Sequence, residues 1–201
     1  MGTKRSLNDH ELESSAKKTA GHWSKGLLSS MEDPELKVEE DDTTVVIKDK
    51  YPKAEVHYLI LPKEDISDMS KLQKRHLPLL KNMFAIGERI MEENPNREIR
   101  LGFHAVASMS RLHMHVISQD FNSKCLKTKR HWNSFTSSYF VPASSIIAEL
   151  EKNGCIKRMA SKTAESLLAT PLKCHKCSLE PKTMPQLKTH LMTHFKKSGC
   201  T

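Results

Sequence analysis

Apolar positions recur along this chain with two different periods, and the switch between them marks out its elements. From Arg111 to Ile117 (RLHMHVI) polar and apolar residues alternate, the period of a strand buried on one face. Arg111, His113 and His115 then share one face, and Leu112, Met114 and Val116 face a core. Residues 44–48 and 56–61 are β-branched or apolar runs joined by Asp49-Lys50-Tyr51-Pro52-Lys53, which predicts a pair of strands. Leu72, Leu79, Leu80, Met83, Phe84, Gly87, Ile90 and Met91 recur at helical spacing, predicting a long helix over the sheet from Ser70 to about Glu93. An interior proline costs about 3 kcal/mol, so Pro78 predicts a kink or a late helix start. Asn94-Pro95-Asn96 ends the element.

The remaining stretches are shorter. Residues 21–28 (GHWSKGLL) read as a short helix with an aromatic near its start. The acidic residues 32–42 read as a solvated turn into the first strands, 142–153 as another amphipathic helix and 158–171 as a connector. Residues 1–20 are charged without apolar periodicity and are expected to be disordered. Within them Lys4-Arg5 and Lys17-Lys18 lie eleven residues apart, compatible with a two-part basic nuclear import signal.

The 201 residues allow one domain of ordinary size plus a small module. No apolar run reaches the length of about 18 residues that a membrane span needs, and the polar N-terminus does not read as a secretory signal. A net charge of +8 points to a polyanion as partner, without separating DNA from RNA or acidic lipid. Five cysteines are an odd number, and a reducing nuclear or cytosolic compartment suits them better than secretion.

Two constellations carry chemistry. The first is His113 and His115 side by side on a strand, with His104 just upstream. Neutral imidazole is a nucleophile near pH 7, and a neighbouring ring can donate to a phosphate oxygen or a departing oxyanion. A metal site or a pair of solvated histidines would give the same spacing. The second is Cys174-x2-Cys177-x12-His190-x3-His194, two thiolates and two imidazoles at the spacing of a closed tetrahedral zinc site, hence a structural zinc with no open position for water. Leu187 sits where single Cys2His2 fingers keep a core leucine, and Pro185 suits an early helix position. Between Pro171 and Thr201 there are six lysines and one glutamate. One such finger reads only about 3 base pairs, so gripping a backbone is its better use. Lys124, Lys127, Lys129, Arg130 and His131 beside Trp132 form a basic strip, and Cys125, Cys155 and Cys200 lack spacing partners and read as free thiols.

The segment HAVASMSRLHMHVISQD (104–120) resembles the His-φ-His-φ-His-φ-φ signature of the histidine-triad (HIT) nucleotide hydrolases and transferases, with Arg111 in place of the first histidine. IKDKYPKA and the following HYLILP resemble that superfamily's nucleoside-binding half. GHWSKGL, DKYPKA, GFHAVASMS, ISQDF, KRHWNSF and the terminal finger are together similar to its aprataxin family. The resemblance implies an α+β fold, a HIT-like antiparallel sheet with flanking helices plus a small C-terminal zinc finger. It divides the chain into a tail (1–20), a HIT domain with an N-terminal wedge helix (21–157), a connector (158–170) and the finger (171–201).

The same resemblance implies a DNA repair hydrolase that removes AMP from 5′-adenylated DNA and leaves a 5′-phosphate. His113 is then the nucleophile that carries AMP, His104 serves the leaving phosphate oxygen and His115 holds non-bridging oxygens, with no catalytic metal. Asp49 accepts ribose hydroxyls, and Lys53 and Ser108 meet nucleotide or phosphate. Trp23 stacks on the terminal base pair instead of simply packing on the sheet, and Ser30, Lys50, Tyr51, Met109 and Arg130 contact nicked or double-stranded DNA. Trp132 goes to the core and His57 to the pocket wall. A monomer in the nucleus is expected, without a membrane. The family's vertebrate members also carry a forkhead-associated domain, and its phosphopeptide docking is not expected from this chain. Arg111 is the departure. Arginine cannot accept a hydrogen bond, though its charge could serve the phosphate. Two rivals stand beside this reading: a HIT hydrolase of free nucleotides, and a DNA-end-binding protein made inert by Arg111.

Overall fold

The computed structural model describes residues 26–195. Trp23, both N-terminal basic pairs and Cys200 therefore lie outside the described residues. A six-stranded antiparallel sheet runs in the order β1-β2-β3-β5-β4-β6, formed by β1 (Lys37–Glu40), β2 (Thr44–Lys48), β3 (His57–Pro62), β4 (Ile99–His104), β5 (Met114–Ser118) and β6 (Phe140–Pro142). Helices α1 (Gly26–Glu32), α2 (Leu77–Glu92), α3 (Lys129–Thr136), α4 (Ala143–Asn153), α5 (Ser161–Ala169) and α6 (Met184–Phe195) surround it.

The register sorts the strands' side chains onto two faces. Val46, Ile60, Met114, Val116, Leu101 and Phe103 form one face with the apolar stripes of α2 (Leu80, Met83, Ile90) and α4 (Ala143, Ile146, Leu150). On the other, Ile47 lies opposite Leu59, Leu59 opposite His115, and His115 opposite Gly102, so an apolar wall runs directly into imidazoles. Helix α1 covers the apolar end of this face with Leu27 and Met31. Helix α3 and the finger cover the other end. The histidines lie between the two covers.

Several elements differ from the sequence reading. Pro78 stands in the first turn of α2, where its missing N–H is harmless. The helix thus starts late, behind two 3-10 turns (Met69–Lys71 and Lys74–His76), and not at Ser70. The alternation at 111–117 becomes ladder only from Met114, because Arg111 and Leu112 bond to the segment after β3: their N–H groups donate to Ser67 O (3.0 Å) and Ile66 O (2.7 Å). The acidic stretch 32–42 is not all turn, since Lys37–Glu40 adds an edge strand with alternating burial. The expected connector at 158–170 contains α5, whose Ala164 and Leu168 pack with Tyr139. Its C-terminal carbonyls (Leu168 O, Thr170 O) accept from the buried Asn133 amide at 3.1 and 2.8 Å.

Among the described residues the finger has no core to itself. Leu172, Cys174, Leu187 and Leu191 belong to one apolar cluster with Ile117, Phe121, Leu126 and Trp132. Trp132 is buried, as expected, and its indole N–H donates to Lys173 O at 3.0 Å. Gly102 is the tightest point beneath the histidines, because a Cβ there would lie 2.5 Å from Val141 O and 2.6 Å from the Phe140 ring. Only glycine lets Phe140 lie against the β4–β5 ladder opposite His115.

Candidate active site

Four imidazoles meet on one face. His104 and His115 have ring centroids 4.4 Å apart, His113 and His115 4.9 Å, and His57 and His115 5.2 Å. His57, a strand residue two positions from the register partner of His115, was expected only as pocket wall; it bonds directly to His115. Phe135, which the sequence reading did not single out, packs against His57, His104 and His115 at 5.5, 4.7 and 5.2 Å. Nothing in local spacing could have found it, since it arrives from α3.

Hydrogen bonds assign the tautomers. The Lys53 N–H donates to His57 Nδ1 (3.0 Å), so the ring proton of neutral His57 is on Nε2. That Nε2–H donates to His115 Nδ1 (3.0 Å), which leaves His115 Nε2 as a buried N–H with no acceptor among the described residues. His113 differs. Its Nδ1 lies 2.8 Å from Arg111 O, and a carbonyl can only accept, so Nδ1 carries the proton and Nε2 keeps its lone pair. His104 Nε2 is likewise buried and unpartnered. Burial lowers the pKa of all four rings, His57 to about 4 and His104 and His115 well below the ordinary imidazole value. Asp49 Oδ2 comes within 3.4 Å of His57 Nδ1, but with the ring neutral and that nitrogen already accepting, the approach is a contact and no ion pair. For His113, the bond to Arg111 O and the nearby Asp49 charge oppose the effect of burial.

A cavity of about 560 Å³ opens over these rings, and the residues expected at the site gather on it: His104, His113, His115, Asp49, Lys53, Ser108, Tyr51, Met109 and Arg130. Cys125, Lys127, His131, Ser134, Phe135 and Leu168 complete its lining. A second cavity of about 360 Å³ lies between α1 and β2–β3 and shares Asp49, Tyr51 and Met109 with the first. Ser30 and Lys50 line this smaller space together with Leu27, Ile47 and Leu59. Asp49 is anchored there by the Tyr51 N–H, which donates to Oδ1 at 2.7 Å. The Lys53 ammonium turns back onto Tyr51 O.

Two of the expected positive charges have partners within the fold. The Arg111 guanidinium does not face the cavity: it is buried and donates to Pro62 O (3.0 Å) and Lys63 O (2.8 Å), with Asp65 at 3.5 Å. Of the basic strip, Arg130 is paired with Glu165 of α5 (2.7 and 3.2 Å), and the Lys129 ammonium donates to Ala169 O at the end of that helix (2.8 Å). Lys124 and Lys127 keep exposed side chains.

In the finger, Cys174 Sγ lies 3.5 Å from His194 Nε2, Cys177 Sγ 3.2 Å from His190 Nε2, and the two Nε2 atoms 3.0 Å apart. A tetrahedral zinc at ordinary Zn–S and Zn–N lengths separates such donors by about 3.3–3.6 Å. The four atoms therefore converge as a cation site requires, with little adjustment.

The family described as Scavenger mRNA decapping enzyme C-term binding matches residues 22–131, and that described as C2HE / C2H2 / C2HC zinc-binding finger matches 136–197. Aprataxin of Gallus gallus is 48% identical over 198 residues, covering 97% of this chain and 62% of its own length. Aprataxin of Ciona intestinalis is 54% identical over 177 residues, 86% of this chain and 46% of its own length. The chain thus spans about half the length of the curated relatives it matches. A crystal structure of aprataxin ortholog Hnt3 in complex with DNA superposes with a TM-score of 0.70 at 22% identity, covering 89% of this chain and 95% of that one. With more than half of its residues in the first match, and with aprataxins aligned along both matched regions, the chain belongs to the Scavenger mRNA decapping enzyme C-term binding family, in the aprataxin-like form that joins this HIT-like domain to a zinc-binding finger.

Proposed function

We propose that this protein removes AMP from 5′-adenylated DNA ends through a covalent His113–AMP intermediate and leaves a 5′-phosphate. The observation that carries the reading is the tautomer pattern: His113 holds a lone pair on Nε2 while its neighbour His115 holds a proton on Nε2, side by side on one cavity. One can act as a nucleophile and the other as a donor, with ring centroids 4.9 Å apart.

His113 Nε2 attacks the α-phosphorus. The N–P bond forms as the bridging P–O bond to the DNA 5′-phosphate breaks, and the electron pair leaves with that oxygen. His104 serves the departing oxygen, and the His115 N–H bonds a non-bridging oxygen whose charge grows in the transition state. Water then breaks the N–P bond, releasing AMP and neutral His113. Asp49 Oδ2 accepts the ribose hydroxyls, since Oδ1 is already engaged by Tyr51. Leu27, Ile47, Leu59 and Met109 give the smaller cavity apolar walls suited to a base, and Lys53 and Ser108 face the phosphates.

Solved DNA complexes of an aprataxin ortholog support a DNA substrate, as does the +8 charge. Lys127 and Arg130 at the cavity rim and the lysines of the finger would track the backbone, with Trp23 and Ser30 at the duplex end and Lys50 and Tyr51 beside the nucleotide. Cys174, Cys177, His190 and His194 would hold one zinc ion, which supplies cross-linking of the fold and no chemistry at phosphorus. The protein acts as a monomer in the nucleus on this reading.

The test is a nicked duplex bearing 5′-AMP, incubated with the protein and with His113→Ala. We expect a 5′-phosphate end from the first and a loss of at least about 10³-fold in the second. Equal binding without release by both would identify an end-binding protein. Release from free dinucleotides but not from the duplex would identify a nucleotide hydrolase.

A further inference from the structure

Arg111 holds its backbone at φ 148°, a conformation that favours glycine and is costly for a residue with a long side chain. Such a conformation persists only where the surroundings over-determine it, and here they do. Residues 111 and 112 send four hydrogen bonds to one short segment, 62–67: Arg111 N–H to Ser67 O (3.0 Å), Leu112 N–H to Ile66 O (2.7 Å), and the guanidinium to Pro62 O (3.0 Å) and Lys63 O (2.8 Å). The guanidinium is buried to 6% exposure with its charge directed at these carbonyls and at Asp65. The group that leaves this clamp toward the site is the Arg111 carbonyl, 2.8 Å from His113 Nδ1.

We propose that Arg111 is a positioning residue: its guanidinium clamps the unusual backbone to the end of β3, and this aims the Arg111 carbonyl so that His113 is held as the Nδ1–H tautomer with its Nε2 lone pair toward the cavity. Nothing in a free imidazole favours that tautomer strongly enough to secure it. Without the clamp, residue 111 relaxes to ordinary φ, the carbonyl swings away and the His113 Nδ1–H loses this acceptor. The ring then exchanges tautomers and turns, and the fraction with a lone pair at the reacting position falls. A side chain that merely filled space would not link a guanidinium at one end of β3 to the protonation of a ring two residues on. One that served the phosphate would face the cavity, and Arg111 does not line it.

The activity part rests on the reading of His113 as nucleophile, whereas the tautomer part does not. The experiment therefore records both. Long-range 1H–15N spectra of the imidazoles give the His113 tautomer at pH 7.5 in the wild type, Arg111→Lys and Arg111→Met, alongside kcat and KM on the adenylated nick. We expect a single Nδ1–H species in the wild type and mixed tautomers in Arg111→Met. In that variant kcat should fall about 10–100-fold, the usual loss when a partner that orients an active-site ring is removed, with KM changed less than about twofold. Arg111→Lys, which keeps one cationic donor for the same carbonyls, should recover part of both. A wild-type His113 protonated on Nε2 overturns the proposal outright, and this readout survives even if every variant fails to fold. A rise in KM with tautomer and kcat unchanged also overturns it, and would place the guanidinium on substrate. A wild type with the expected tautomer but no turnover would defeat the deadenylation reading and leave the Arg111 clamp standing.

Discussion

Among the described residues, two groups of four ligand-quality side chains stand out, and they are built on opposite rules. In the finger, Cys174, Cys177, His190 and His194 turn their donor atoms toward a single point, at distances close to those a tetrahedral cation imposes. In the sheet, His57, His104, His113 and His115 crowd as closely, yet their hydrogen-bonded nitrogens answer to different partners, and His104 Nε2 and His115 Nε2 have none among the described residues. Lys53 N–H fixes His57, His57 fixes His115, and the Arg111 carbonyl fixes His113. Imidazole does both jobs. What separates ligation from catalysis is where the second nitrogen is directed. Convergence satisfies a cation, and a directed chain leaves one lone pair and one N–H free to act on a substrate.

That contrast can be broken from either end. The largest effect is expected from the convergent group. Cys174→Ser should take the bound zinc, measured by elemental analysis, from one per chain to near zero. It should also lower the melting temperature by about 10 °C or more, because metal binding and folding are coupled in such sites and Cys174 shares a core with Phe121 and Trp132. A finger that melted alone, leaving the Trp132 environment and the HIT-domain transition unchanged in near-UV circular dichroism, would contradict the shared core.

A smaller effect follows in the directed group from pH. Burial depresses the folded-state pKa of His57 (to about 4), His104, His113 and His115. The unfolded chain binds those protons near pH 6.5 and the folded chain does not, so stability should fall as pH drops from about 6.5 toward 4 and should level off above 6.5. For the same reason the acid limb of kcat/KM should lie below pH 6.5, since His113 stays neutral there. Urea titrations and rate measurements from pH 5 to 8 would check both, and an acid limb above 6.5 would mean that the cluster is open to water. The smallest effect concerns the exposed charge at the rim. Lys127→Ala should reduce the slope of log affinity for DNA against log salt by about 0.9 while kcat stays within about twofold, whereas an unaltered slope would remove Lys127 from the backbone contacts.

The parts of this structure that were legible in the sequence are those governed by local spacing. Alternation at 111–117 placed His113 and His115 together on one face, and register keeps them there although the ladder begins only at Met114. The Cys-x2-Cys and His-x3-His spacings placed the finger's four donors, because a turn and a helix each fix their own pair. Helical periodicity found α2 and α4, and Pro78 gave the start of α2 once its N–H was recognised as dispensable in a first turn. The place of Trp132 in the core came from the family resemblance and not from spacing. Residues that reach the site from distant elements were not. Phe135 comes from α3, Leu168 from a helix read as a connector, and the Arg130–Glu165 pair joins elements 35 residues apart.

Composition and spacing by themselves thus settled which groups are present: three histidines of one cluster, a Cys2His2 set and an excess of positive charge, to which the family resemblance added Asp49 as a candidate ribose acceptor. What only the tertiary structure decided is the state of those groups. A proton's position on an imidazole depends on whatever lies within about 3 Å of each nitrogen. For His57, His113 and His115 those partners are a loop amide, a strained backbone carbonyl and another ring, brought together by strand register. Arg111 read as a lost histidine in the sequence; in the fold its side chain points away from the cavity over the histidines and its carbonyl points toward His113. Side-chain identity is written residue by residue, but direction is set by long-range packing.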